Sequence, residues 1–218
     1  MYNIPNPNKQ YFARTNIQTI QQRAYLMQEF VPSVRSIAEI CCGDCTRQFE
    51  IYKAELNLQR YQCLDIEMDI VAKNRRHGIE CYCGDALNKN ILQKFLTDDV
   101  IFFGPPLSVE CDGHQILQFQ QVNPSYQSFT SLLLGDLHYS GMLVCICPNT
   151  STLGDIANLH RQIRNFCPKF NLPLIHYSWS TITGSGEATK ARLKYIELWF
   201  SDTHEDTWEV RINNNFHS

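Results

Sequence analysis

Gly43 lies in the run Glu39-Ile40-Cys41-Cys42-Gly43-Asp44-Cys45, directly after the apolar stretch Ser36-Ile37-Ala38. The pattern predicts a strand that ends in a tight turn and opens into a helix near Thr46. Small residues at such a junction, here Cys41 and Gly43, let the backbone approach a ligand. The helix N-terminus adds unpaired N–H groups, which suits a nucleotide-like molecule. Asp65 ends a second apolar run, Tyr61-Gln62-Cys63-Leu64-Asp65, twenty-two residues beyond Gly43. A carboxylate there can accept from both hydroxyls of a ribose. A third run leads to Gly84-Asp85-Ala86, and a fourth, Val100-Ile101-Phe102-Phe103, leads to Gly104-Pro105-Pro106-Leu107. Past that tetrapeptide Glu110, Asp112 and His114 form a dense titratable group, in which His114 is the natural base at neutral pH.

Each of these residues also has a plainer use. Gly43 can simply allow a positive φ in a turn, and Asp85 can cap a helix that begins near Leu87 and Asn88. Ile66 is as much at home in a core as against a ring, and Pro105-Pro106 can be a structural turn.

The chain has ten cysteines. Cys81 and Cys83, like Cys145 and Cys147, alternate inside strand-like apolar runs and read as buried thiols acting as small hydrophobes. Cys42-x-x-Cys45 matches a zinc knuckle or a redox pair, but no second Cys pair at the usual long interval accompanies it. No metal is expected on this reading.

Strands and helices that alternate along the chain must position these residues. Helices are expected over 17–30, 46–56, 69–76, 88–96, 125–137 and 153–166, and strands over 36–41, 61–65, 79–82, 100–103, 141–147, 174–182 and 192–200. The helix at 17–30 stops before Pro32. Helices between successive strands imply right-handed crossovers and a parallel sheet. Residues 108–123 carry little apolar periodicity and read as a binding loop or lid at the strand-end rim. Thr183-Gly184-Ser185-Gly186-Glu187 reads as the loop of a closing antiparallel hairpin. Three segments follow: an arm and capping helix over 1–33, a ligand-binding domain over 34–201, and a polar, loose tail over 202–218, with Trp208 and Val210 able to tack part of it down.

Glu39-x-Cys41-x-Gly43-x-Cys45, Asp65, Asp85 and the Pro-Pro tetrapeptide, in that order and spacing, resemble the class I S-adenosylmethionine-dependent methyltransferases. The resemblance covers about residues 34 to 200. It implies a three-layer α/β sandwich, the Rossmann-like methyltransferase fold, whose mostly parallel seven-stranded sheet ends in an antiparallel hairpin. It also implies S-adenosylmethionine as cofactor and S-adenosylhomocysteine as product. By resemblance Glu39 orients the turn and the methionine amino group, Cys41 and Gly43 form the turn, and Asp65 holds the ribose. Ile66 packs an adenine face, Asp85 receives the adenine amino group, and the Ala86 backbone N–H meets the ring.

The tetrapeptide bears on the chemistry. In the branch that methylates exocyclic or amide nitrogens, the corresponding run is Asp, Asn or Ser, then Pro-Pro, then an aromatic residue. This chain keeps Pro105 and Pro106 but has Gly104 and Leu107 at the flanks, leaving the Phe103 or Gly104 carbonyl to accept from an amine. Gln10, Tyr11 and Phe12 weakly echo a segment that precedes the catalytic domain of adenine-N6 methyltransferases and helps bind the cofactor.

Charged residues make up 19% of the chain and the net charge is -3, so no global basic field draws it to nucleic acid or a membrane. The clusters Lys73-Arg75-Arg76 and Lys190-Arg192-Lys194 can touch phosphates or be solvated faces. The longest apolar stretches fall far short of the roughly twenty residues that cross a bilayer, and no leader-like segment opens the sequence. A cytoplasmic protein with reduced thiols is expected. The methyl acceptor, nucleic acid or small molecule, is not named by these residues. A cofactor-binding module without turnover stays open, and a nicotinamide dehydrogenase is disfavoured because its fingerprint needs three glycines.

Overall fold

The structure, a computed structural model, describes residues 15–110, 114–182 and 190–212, with side chains described outside 108–116 and 179–192. The arm with Gln10, Tyr11 and Phe12, the loop at 183–187, Asp112 and the side chains of Glu110 and His114 lie outside the described residues.

The strands and helices expected around the strand-end site follow the alternating order read from the sequence, beginning with α1 (Ile17–Phe30), β1 (Ser36–Ile40), α2 (Thr46–Glu55) and β2 (Arg60–Asp65). They continue with α3 (Met68–Arg76), β3 (Glu80–Cys83), α4 (Lys89–Leu92) and β4 (Val100–Phe103). Asn16 caps α1, its Oδ1 accepting from the Thr19 N–H at 2.7 Å. Every residue of β1 and of β4 is buried, as expected of strands covered on both faces.

Between 108 and 123 the expected long loop is partly ordered. β5 (Ser108–Glu110) pairs antiparallel with β6 (His114–Ile116), and a short 3-10 turn follows at Phe119–Gln121. The expected helix at 125–137 is divided: α5 (Tyr126–Thr130) runs into a wider, π-helical segment, Ser131–Asp136. β7 (Met142–Pro148), α6 (Leu153–Phe166), β8 (Asn171–Ile182) and β9 (Lys190–Ser201) complete the expected order.

One further strand, β10 (Glu209–Ile212), pairs parallel with β8, so the main sheet has eight strands instead of seven, in the order β10-β8-β9-β7-β4-β1-β2-β3. The segment expected to be a loose tail is therefore ordered as far as Ile212. Its anchor is Trp208, whose backbone N–H donates to the Leu172 carbonyl and whose indole N–H donates to Asp206 at 3.0 Å. β1, β2, β3, β4 and β7 are mutually parallel, and β9 is antiparallel to β7 and β8.

Two apolar layers flank the sheet. On one face Ala38, Ile40, Phe103 and Cys145 pack with Phe129, Leu133 and α6. On the other Ile37, Cys63, Phe102 and Trp199 pack with α1 and α2. Inside the second layer Arg23 from α1, 1% exposed, meets fully buried Glu197 from β9 at 2.7 Å, and His176 Nδ1 lies 3.0 Å from the other carboxylate oxygen.

Candidate functional site

The four strand ends singled out by sequence are joined along one edge by backbone hydrogen bonds. Gly104 N donates to Ile40 O at 3.0 Å, Cys42 N to Leu64 O at 3.1 Å, and Gly84 N to Asp65 O at 3.0 Å. β4, β1, β2 and β3 thus end side by side, and the turns that follow them face one another across the edge.

The β1 turn is built for a tight path. Cys41 and Gly43 both have positive φ, 59° and 56°, a region open to glycine and strained for cysteine. Asp65 then holds the turn: its Oδ2 accepts from Gly43 N at 2.8 Å, and its Oδ1 from Glu67 N at 2.9 Å. Cys42 Sγ also donates to Oδ2, at 3.9 Å, so the acceptor capacity that remains lies mainly on Oδ1. Burial pushes the Asp65 carboxyl above the usual range, while those two N–H groups pull the other way by favouring the anion. Asp44 ties the same turn to the helices, accepting from Thr46 Oγ1 and from Lys73 Nζ, each at 2.7 Å.

Ile66, next to Asp65, is 68% exposed and Met68 is 62% exposed. Two large apolar side chains are thus bared beside Asp65 at the strand-end edge, where a ring can pack. Asp85 is exposed, and its Oδ1 accepts from Leu87 N at 2.8 Å. The cap of α4 is Asn88, which accepts from Asn90 N and Ile91 N, so Asp85 does not serve as that helix's cap. Ala86 is 5% exposed and belongs to the core.

Glu39 stands one residue before the end of β1 and is 6% exposed, on the face that carries Arg23, Tyr61 and Cys45. Among the described residues its Oε1 is buried without a hydrogen-bond partner. Burial, reinforced by Cys45 and opposed by Arg23, pushes its carboxyl up to about 8. Glu39 thus lies beneath the turn, within the α1 layer of the sheet.

At β4, Phe103 is fully buried and stacks on Phe129 with ring centroids 3.8 Å apart. A Cβ on Gly104 would lie 3.3 Å from Ile146 Cδ1, so a polar side chain there would press on Ile146. Pro105 is buried, Pro106 exposed, and Leu107 half-buried against the core. Leu107 O accepts from Leu117 N at 3.0 Å, closing the hairpin segment onto the tetrapeptide. Beyond it Phe119 stacks on Tyr126 at 4.5 Å, and Tyr126 Oη donates to Ile146 O at 2.6 Å. Leu117, Phe119 and Tyr126 were not singled out by sequence, because only the fold of 108–121 brings them to the tetrapeptide. His114 is placed in β6 by its backbone alone.

The basic clusters are partly used within the fold. Lys73 pairs with Asp44 and Arg75 Nε donates to Cys81 O at 2.8 Å. Burial brings the Lys194 amine down to about 8.

No protein-family model matches the sequence, and no curated protein does. Solved structures match it in shape. A Pyrococcus horikoshii protein proposed to be an RNA methyltransferase superposes with a TM-score of 0.57 at 12% identity, covering 86% of this chain and 85% of that one. The methyltransferase domain of bacterial CtHen1 gives 0.55 at 9% identity, over 84% and 97% of the two chains. The plantazolicin methyltransferase BpumL, solved with S-adenosylhomocysteine and a triazolic desmethylPZN analogue, gives 0.57 at 15% identity, over 84% and 83%. The eight-stranded, mostly parallel sheet described above is therefore the α/β, Rossmann-like fold of S-adenosylmethionine-dependent methyltransferases.

Proposed function

We propose that this protein transfers a methyl group from S-adenosylmethionine to a planar acceptor, with a nitrogen of a nucleic-acid base ahead of a small molecule. The observation that carries the reading is the stitching of four strand ends into one edge, which brings Gly43, Asp65, Asp85 and the tetrapeptide together. The residues fit the cofactor on this structure's own terms. The tight turn at Cys41 and Gly43 allows close backbone approach, Asp65 keeps acceptor capacity for ribose hydroxyls, and Ile66 offers a bare apolar face.

When bound, S-adenosylmethionine supplies a methyl on a sulfonium, already activated for one displacement that forms the acceptor–carbon bond and breaks the carbon–sulfur bond. The protein's part is positioning, the main source of rate in such a step. Cys41, Gly43, Asp65, Ile66, Asp85 and Ala86 hold and orient the cofactor, while Glu39 supports the turn from below. The Phe103 or Gly104 carbonyl accepts from an acceptor amine, and Pro105 and Pro106 fix that carbonyl's direction. Leu107, with Leu117 and Phe119 beside it, packs the acceptor plane in place of a stacking aromatic at position 107. The proton lost by the acceptor passes to solvent, or to His114.

The fold neighbours include one protein described as an RNA methyltransferase and one solved with a triazolic desmethylPZN analogue, which is in keeping with a flat-ring acceptor without fixing its class. Transfer of labelled methyl to separate pools of tRNA, DNA and small metabolites tests the proposal. Label in the nucleic-acid pools supports base methylation, and label confined to metabolites supports the small-molecule reading. Cofactor binding with no transfer to any pool supports a module without turnover.

A further inference from the structure

Cysteines from three separate segments of the chain converge directly behind the turn proposed to hold the cofactor. Cys42 and Cys45 flank Gly43 in the turn between β1 and α2. Cys63 in β2 and Cys81 in β3 are register partners on neighbouring parallel strands, so both side chains leave the same face of the sheet. The sulfurs of Cys42, Cys63 and Cys81 all lie within 4.8 Å of one another. Cys45 is fully buried and caps α2 without a side-chain hydrogen bond to the helix; its thiol neighbours those of Cys42 and Cys63 but stands outside that 4.8 Å group, so it must turn further than the others to complete a set of four.

That spacing is close to what a metal requires. Zinc bound tetrahedrally by thiolates at about 2.3 Å places its sulfurs about 3.8 Å apart. The three sulfurs need to close by no more than about 1 Å, which small χ1 rotations supply. The Cys-x-x-Cys pair supplies one half of a zinc site at a usual spacing, and strand pairing supplies the other half in place of a second such motif.

A second observation is independent of the sulfurs' own spacing. Asn74, fully buried on α3, anchors its amide nitrogen on Gly43 O at 2.9 Å, an acceptor that fixes which way the amide points. The same nitrogen faces Cys42 Sγ at 3.5 Å, Cys63 Sγ at 3.8 Å and Cys81 Sγ at 3.9 Å. With one N–H on Gly43 O, the second is left to be shared among the sulfurs, and a buried donor so placed stabilises metal-bound thiolates from the outer shell. Among the described residues the Asn74 Oδ1 has no partner. Arg75 and Lys73 on the same helix put positive charge beside the cluster.

We propose that Cys42, Cys45, Cys63 and Cys81 form a structural zinc site that pins the cofactor turn to β2 and β3. An all-sulfur tetrahedral set selects zinc over oxygen-seeking magnesium or calcium. On binding, each thiol gives its proton to the buffer and the metal takes the four sulfurs. The site stands apart from the methyl-transfer chemistry, whose activated donor needs no metal. Its effect on function runs through the placement of Gly43 and Asp65.

The full chain, purified without chelators from zinc-supplemented cells, is assayed for metal by mass spectrometry. Roughly one zinc per chain is expected. Exchange with cobalt(II) should give the sulfur-to-cobalt charge-transfer and strong visible bands of a tetrahedral thiolate centre. Cys63→Ser and Cys81→Ser should lower zinc content about tenfold or more, while Cys167→Ser, on the half-buried thiol after α6, should leave it unchanged. Thiol counting on the wild type keeps the test valid if the serine variants do not fold: zinc release should expose four thiols together. Wild-type protein that carries no zinc and develops no charge-transfer band with cobalt overturns the site. So does a disulfide among these four cysteines in freshly purified protein, or full zinc content in Cys63→Ser and Cys81→Ser.

Discussion

Replacing Arg23 by methionine removes a guanidinium from a closed layer while keeping most of its volume. In the native chain its Nε donates to Glu197 at 2.7 Å and its Nη2 to Tyr195 Oη at 3.2 Å, and the guanidinium lies 5.3 Å from the ring centres of both Phe102 and Tyr195. Burial pushes the Glu197 carboxyl up, but Arg23 and His176 outweigh it and bring it down to about 2 from an ordinary 4.5. Because the folded value lies below the unfolded one, the unfolded chain takes up the proton first as pH falls. The pair's stabilisation is whole above pH 4.5 and is lost towards pH 2. At about 1.4 kcal/mol per pKa unit, that stretch carries about 3 kcal/mol. Arg23→Met leaves Glu197 buried without its cation, a change that costs about 3–5 kcal/mol near neutrality. Burial then keeps Glu197 protonated to higher pH in the variant, so its gap from the wild type narrows in acid. Urea denaturation of both proteins from about pH 7 to about pH 3 measures this directly. The double change Arg23→Met with Glu197→Leu, apolar throughout, should recover most of the loss. A cost below about 1 kcal/mol at neutral pH, or a gap that stays constant into acid, refutes Arg23 as the group that keeps Glu197 charged.

Two further substitutions probe the strand ends. Cys41 carries a positive φ of 59°, so Cys41→Gly exchanges about 1 kcal/mol of backbone strain for lost packing and should change stability by less than about 1 kcal/mol, whereas β-branched Cys41→Val should cost about 2 kcal/mol or more. Equal urea midpoints for the valine variant and the wild type would contradict that turn geometry. Phe129→Ala removes the fully buried ring stacked 3.8 Å from Phe103 and should destabilise by about 3–5 kcal/mol. A loss under about 1 kcal/mol in the same assay would show that the layer beneath Gly104 is not packed as described.

The strand ends were legible because each is an apolar run that stops at a turn or an acidic residue, and a parallel sheet brings such ends to one edge. Asp65 and Asp85 stood out for that reason, as did the limits of α1 and β4. Other features depend on partners distant in sequence. β10 has only four residues, Glu209 to Ile212, and gains its identity from the free edge of β8. β5 and β6 have three residues each, too short to show a period, so 108–123 reads as loop. Leu117 bonds back to Leu107 only once that hairpin forms. The cysteine cluster is the sharpest case. Cys63 and Cys81 have no recognisable ligand spacing with Cys42, and come together because β2 and β3 pair in register. Arg23 likewise gains its partner only when Glu197 arrives from β9, 174 positions along the chain.

Isothermal titration of the purified chain with S-adenosylmethionine and with S-adenosylhomocysteine, for the wild type and Asp65→Ala, tests the central claim most directly. Loss of charge-assisted hydrogen bonds to the ribose, worth about 1.5–3 kcal/mol, should weaken both ligands about 10- to 150-fold in the variant. NAD should not bind either protein. If neither sulfur ligand binds the wild type, or if Asp65→Ala binds them as tightly as the wild type does, the strand-end edge is not the cofactor site and the account fails.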